Sequence, residues 1–288
     1  MAKPGARVRD LHECKTPVPK PHVNGPIAPP CSLDVEYDGR AAARASDRAL
    51  CQVPPNFIVT GSGTVSVNGL PAARLDDLTM HPPPGHITTG SSDVLIGGPT
   101  IGVRLGGASA GNLACQGAAS GRASGTIKQS YNNCGVESAR QIINQATNKS
   151  ISEDTLLDES IDAGDADKES TRNESGGTSP DGRQDILDRN GVPSVLDPAT
   201  RENLTQAIAE HKGIISSHEV KYLWPDLSQT GGHAITVTGV GFDAHGQPET
   251  VYYNDTGRGQ CQTSLPWSTF MGSLRPGRDM NVTSSPVW

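Results

Sequence analysis

A cysteine becomes a nucleophile when its thiol is held as a thiolate. The first turn of a helix favours that form, because unpaired N–H groups and the positive end of the helix dipole meet there. Cys134 has such a place. It follows Asn132 and Asn133, whose side-chain oxygens can cap a helix, and Val136, Ala139, Ile142, Ile143 and Ala146 recur after it at helical spacing. Gln129 stands five residues upstream, and its amide could turn toward the same point as an oxyanion donor. A nucleophilic thiol also needs an oriented base. His233 opens the β-branched run that ends at Gly241, and a turn over 243–248 leads to a second strand ending in Asn254 and Asp255. Such a hairpin brings Asn254 or Asp255 beside His233. Either could accept from one imidazole nitrogen and aim the other at Cys134.

The elements that must carry these residues are legible around them. Ser152 could begin a second helix, and the acidic stretch up to Glu174 reads as a solvated loop or lid. Ser179-Pro180 opens a helix that stops at Asn190-Gly191, Val192–Leu196 reads as a strand, a helix follows from Thr200, and Gly213–Ser217 reads as a further strand. Helices over a small antiparallel sheet make the second half an α+β fold. His211 and His218 are expected at the surface, Trp224, Trp267 and Trp288 as packing residues, and Glu137 as a first-turn acid favoured by the dipole.

The first hundred residues are of another kind. The chain has 33 glycines, 22 prolines and only 4% aromatic residues, so part of it must be β- and turn-rich with little apolar core. Val35–Asp47 repeats as Val65–Asp77, with Asp-Gly and Asn-Gly turns, so stacked short strands are the expected body. Cys51 and His81 fall at equivalent places, four residues after Asp47 and Asp77. With His12 and His22 they could close a tetrahedral zinc site, and Cys14 could replace His12. Between the halves, residues 106–124 are rich in Gly, Ala and Ser and read as a flexible linker.

Charge excludes one class of partner. Residues 1–110 hold 10 basic and 9 acidic side chains, leaving 14 and 22 for the remainder, within a net charge of −7. A second half at −8 is ill suited to nucleic acid. No apolar run is long enough to cross a bilayer and the N-terminus has no signal-peptide core, so the chain is expected to be made in the cytoplasm and to leave it, if at all, outside the general secretory route.

Two resemblances follow from these residues. Asn68-Gly-Leu-Pro71-Ala-Ala-Arg74 and its degenerate copy Asp38-Gly-Arg-Ala41-Ala-Ala-Arg44 resemble the PAAR family over roughly residues 5–105. That likeness implies an all-β cone that caps the spike trimer of the type VI secretion machine, with structural zinc on His12, His22, Cys51 and His81. Gln129, Asn133-Cys134-Gly135, Gly231-Gly-His233-Ala234 and Asn254-Asp255 resemble a papain-like cysteine peptidase over 125–288, most of all the double-glycine leader peptidases of bacteriocin exporters. By that likeness Gln129 is the oxyanion donor, Cys134 the nucleophile, His233 the base and Asp255 the orienter. No catalytic cofactor is implied. Thr256 stands where those peptidases usually have proline, and papain uses asparagine, so Asn254 stays an alternative.

The combined expectation is a type VI secretion effector of two domains: a PAAR tip over 1–105, the linker over 106–124 and a cysteine protease toxin over 125–288. Its substrate would be a recipient-cell protein, cytoplasmic rather than periplasmic, and a cognate immunity protein would cover the cleft in the producer. The likeness to peptidases that cut after paired glycines leaves self-cleavage at Gly106-Gly107 as an alternative to the leading reading, a linker rich in glycine for flexibility. A cell-wall peptide amidase, a glutamine deamidase or transglutaminase, and a non-enzymatic binding protein are the rival readings.

Overall fold

The structure is a computed structural model and describes residues 1–15, 24–51, 54–106, 128–277 and 279–288. The chain divides into two compact units, Met1–Leu105 with Gly241–Glu249, and Gly106–Val240 with Thr250–Trp288. Apart from Gly106, the expected linker lies outside the described residues, as do His22 and the second glycine of the expected self-cleavage site.

The first unit is built from strands of two or three residues. The serines Ser32, Ser62 and Ser91 each accept, through Oγ, the N–H of the valine three residues on, at 3.0, 3.1 and 2.8 Å. After the first two, hairpins pair Glu36–Tyr37 with Arg40–Ala41 and Ser66–Val67 with Leu70–Pro71. Asp38 and Asn68 turn these at φ of 49° and 51°, followed by Gly39 and Gly69 at 67° and 79°. Left-handed Asp-Gly and Asn-Gly pairs suit the twist of a two-residue hairpin loop.

The repeat has a third copy that the sequence conceals. Leu95–Ile96 pairs antiparallel with Lys3–Pro4, so one strand of that copy comes from each end of the unit. Arg7 meets Asp10, Arg44 meets Asp47 and Arg74 meets Asp77, all at 2.9–3.0 Å. The alanines before these arginines close a ring: Ala6 N–H donates to Ala73 O, Ala73 N–H to Ala43 O, and Ala43 N–H to Ala6 O. Ile27, Ile58 and Ile87 fill the centre with them. Cyclic pairing of this kind gives a pseudo-threefold body, and it lets a small apolar core serve three strand sets at once.

An antiparallel sheet, most of whose residues belong to the second unit, runs in the order Ser194–Asp197, Met280–Pro286, Lys212–Glu219, Gly232–Phe242, Pro248–Asp255, Gln260–Pro266. The helix Cys134–Thr147 lies against it, and Gly213 permits the approach: a Cβ there would stand 2.8 Å from Ile142 Cγ2. Val136, Ala139, Ile142 and Ile143 join Leu156, Leu157, Ile186, Leu187 and Ile215 in one buried cluster.

Three helix starts fall where cap chemistry puts them. Ser152 caps Glu153–Ala163, Ser179 with Pro180 at the first position caps Pro180–Arg189, and Thr200 caps Arg201–Ala209; each hydroxyl accepts the N–H of the third residue of its helix. The acidic stretch is therefore half helix. His218 is fully buried, its Nδ1 2.7 Å from Ser273 Oγ and its Nε2 2.8 Å from Ser216 Oγ, and burial pushes its pKa down to about 3. It lies on the sheet's inner side because the strand Lys212–Glu219 is covered on both faces, which the short apolar run did not reveal. Glu137 is likewise buried, forked onto Arg140 at 2.7 and 2.8 Å.

Candidate functional site

Cys134 is the first residue of its helix. The preceding Asn133 does not cap it. Instead the Asn133 amide donates to Glu153 Oε1 at 3.2 Å, and the same oxygen accepts the Ser130 N–H at 2.7 Å. Glu153 thus anchors the loop before Cys134, and the Asn133 side chain leaves the N–H groups at the start of the helix uncapped. Those groups are then available to a thiolate or to a carbonyl oxygen under attack.

His233 comes to the thiol from the first residues of its strand, and the Ala234 N–H donates to Cys134 Sγ at 3.3 Å. His233 Nε2 lies 2.8 Å from Asp255 Oδ1. With Nε2 engaged by Asp255, Nδ1 is the imidazole nitrogen left to serve the thiol. Asp255 is held in turn: Trp224 Nε1 donates to its Oδ2 at 2.6 Å and the Arg258 N–H to its Oδ1 at 3.2 Å. The Trp224 ring stands 4.7 Å from the imidazole, centroid to centroid. Asn254, one residue earlier on the strand, points the other way and donates to Gln141 Oε1 at 2.8 Å. Alternation along a strand allows only one of the two to face His233.

The electrostatics describe an ion pair. Burial works against both charges, but the hydrogen bonds and charges of Asp255 and Cys134 push His233 up to about 9. For Cys134 burial likewise opposes ionisation, and the His233 contact, the Ala234 N–H and the charge of Arg183 outweigh it and lower the thiol pKa. Asp255 is held below the usual carboxylate range against its own burial, by His233 first and then Trp224. A thiolate beside an imidazolium is a nucleophile with a proton donor already in place.

Cys134 and His233 open on a cleft of about 210 Å³ whose wall also includes Asn132, Thr178 and Arg183. Gln129 is not on that wall. Its Nε2 donates to Tyr131 O at 2.8 Å and its Oε1 accepts from Thr256 Oγ1 at 2.7 Å. It braces the loop after Asp255 against the loop before Cys134. Sequence reasoning gave Asn132 only as a helix cap and Trp224 only as a packing residue; the structure puts Asn132 on the cleft wall and bonds Trp224 to Asp255.

The first unit gathers a second group. Ligand atoms of Cys14, Cys51 and His81 all lie within 4.8 Å of one another, and Cys14 Sγ is 3.6 Å from His81 Nδ1. The three stand at the same place in the three repeat copies, four residues after Asp10, Asp47 and Asp77. That symmetry brings in Cys14 where His12 was the first expectation: His12 lies two residues earlier on the strand Leu11–Glu13 with Nδ1 bonded to Gly25 O at 2.9 Å, and it is not in the group. Two thiols and an imidazole converging from separate copies are a donor set that suits a zinc-like ion and could hold a metal.

Residues 17–82 match the family model described as PAAR motif. The first unit carries a PAAR motif. No curated protein matches the chain significantly. Among solved structures, a C39-like peptidase from Bacillus anthracis is similar over 55% of this chain and 90% of its own length, at 12% identity and a TM-score of 0.41. Among the described residues no helix is long and apolar enough to cross a membrane.

Proposed function

We propose that the chain is a type VI secretion effector whose first unit seats on the spike and whose second unit is a cysteine peptidase toxin. The observation that carries the enzymatic half is Cys134 and His233 lining one cleft, with the Ala234 N–H on the sulfur and Asp255 bonded to the imidazole and closed by the Trp224 bond to the carboxylate. The PAAR motif supports the delivery half, and a pseudo-threefold body suits a trimeric spike. Zinc on Cys14, Cys51 and His81, with His22 as fourth ligand, would stabilise the tip. In the reaction the Cys134 thiolate attacks a peptide carbonyl. His233 gives its proton to the leaving amine and then activates the water that releases the acyl-enzyme. The Cys134 N–H and the Asn132 amide take the oxyanion. A recipient protein is the substrate, and an immunity protein guards the producer.

Those amide roles make a paired prediction. Asn132→Ala should lower kcat by about a hundredfold with an unchanged melting temperature, the size expected for one lost oxyanion donor. Gln129→Ala should lower the melting temperature first. A Gln129→Ala variant that loses the hundredfold while melting normally, beside an undiminished Asn132→Ala, reverses the assignment.

The test of function is growth of a susceptible bacterium expressing the full chain, its Cys134→Ala variant, and a version exported to the periplasm. Killing by the unmutated cytoplasmic form alone is expected, with new protein termini in those cells. Killing that requires export points instead to cell-wall peptides, and a one-unit mass shift on glutamine without new termini points to deamidation. Toxicity indifferent to Cys134 overturns the enzymatic half.

A further inference from the structure

The cleft beside Cys134 is cationic within an acidic half of the chain. Arg183 and Arg275 both line it, against Asp167 as the acid on the wall. Both arginines are fixed around one residue. Arg183 Nη2 donates to Ser217 Oγ at 2.9 Å and its Nε to Asn281 Oδ1 at 2.8 Å, while the Arg275 N–H donates to Ser217 O at 3.0 Å.

Arg275 is placed with more care than a surface ion pair needs. Glu219 takes its Nε at 3.1 Å, and Glu219 is the cross-strand partner of Gly232, the residue before His233. A Cβ at Gly232 would stand 2.2 Å from Arg275 Nη1. The bare glycine therefore makes the bed on which the guanidinium lies, next to the catalytic base and still more than a third exposed. A salt bridge that exposed adds little to stability. A guanidinium held by its Nε, with its forked Nη groups toward a cleft, is suited to bind a carboxylate through two parallel bonds.

We infer that Arg275, backed by Arg183, selects a peptide carrying an aspartate or glutamate close to the scissile bond. This rests on the peptidase reading for the bond that is cut, though not for the carboxylate that is held. An acidic segment is also the class of peptide that the rest of the unit would repel, so the two arginines both attract the substrate and fix its register.

The test uses the full chain in two arms. In the first, unmutated and Arg275→Gln proteins digest a proteome-derived peptide library and the cut sites are read by mass spectrometry. In the second, the Cys134→Ala chain captures peptides from a randomised synthetic library. Asp and Glu should be enriched at one fixed position in both arms, by roughly tenfold to a hundredfold over their amides. Arg275→Gln should erase that enrichment, and Arg275→Glu should move it toward Lys and Arg. Cut sites or captured peptides without acid enrichment overturn the inference, as does enrichment that survives Arg275→Gln. Acidic peptides that are captured but never cut leave the inference standing and sink the peptidase reading. Capture of cell-wall fragments in preference to peptides also overturns it.

Discussion

Cys134→Ala is expected to lower peptide hydrolysis by on the order of 10⁶, and Asp255→Ala by roughly 10⁴. The asymmetry follows from what each side chain does. Without the thiol there is no covalent route. Without Asp255 the imidazole remains, but it loses its 2.8 Å partner in a site that is otherwise buried, and Trp224 Nε1 loses its acceptor. The ring is then free to turn, and its proton is held less firmly. The pH profile separates this from misfolding. The active pair exists above the lowered Cys134 pKa and below that of His233, pushed up to about 9. Asp255 favours the imidazolium, so its loss moves the upper limb of kcat/KM to lower pH and leaves a narrower plateau. An Asp255→Ala variant with full activity and an unmoved upper limb would remove the carboxylate from the mechanism. Asn254→Ala should spare the profile, since its amide is bonded to Gln141.

What the sequence made legible in the second unit was local. Ser152, Ser179-Pro180 and Thr200 mark helix starts because a cap is a bond between near neighbours. The Cys134 helix and the strand from Gly232 follow from periodicity. The choice between Asn254 and Asp255 was not local, since it depends on which face of the strand meets the imidazole. Trp224 enters the site only because a four-residue helix after the strand Lys212–Glu219 carries it across to Asp255. Arg183 and Arg275, far apart in sequence, meet through Ser217. Asn133 misled in a different way: its type favours capping, but a buried carboxylate at Glu153 offers its amide a charged acceptor, and the cap is forgone. In the first unit two repeat copies were plain, and the third was hidden because its strands come from the two ends.

That third copy decides the second large effect. With so small an apolar centre, the first unit depends on whatever else joins its three copies besides the alanine ring. Cys14, Cys51 and His81 come one from each copy, so an ion on them cross-links all three and its binding energy becomes folding energy. Purified full chain is expected to hold one zinc per chain by mass spectrometry of the metal. Cys51→Ser or Cys14→Ser should lose it, and stripping the metal with a strong chelator should make residues 1–105 sensitive to protease while the second unit keeps its own core. Structural zinc sites contribute about 10 kcal/mol or more of apparent binding energy, enough to exceed the stability of a domain this size. The two histidines separate the symmetry argument from the first expectation. His22→Ala should reduce zinc content, whereas His12→Ala should leave it, because His12 lies outside the group of Cys14, Cys51 and His81. A His12→Ala chain without zinc beside a fully loaded Cys14→Ser chain would restore His12 as the ligand, and would mean that the equivalence of the three copies does not extend to the metal.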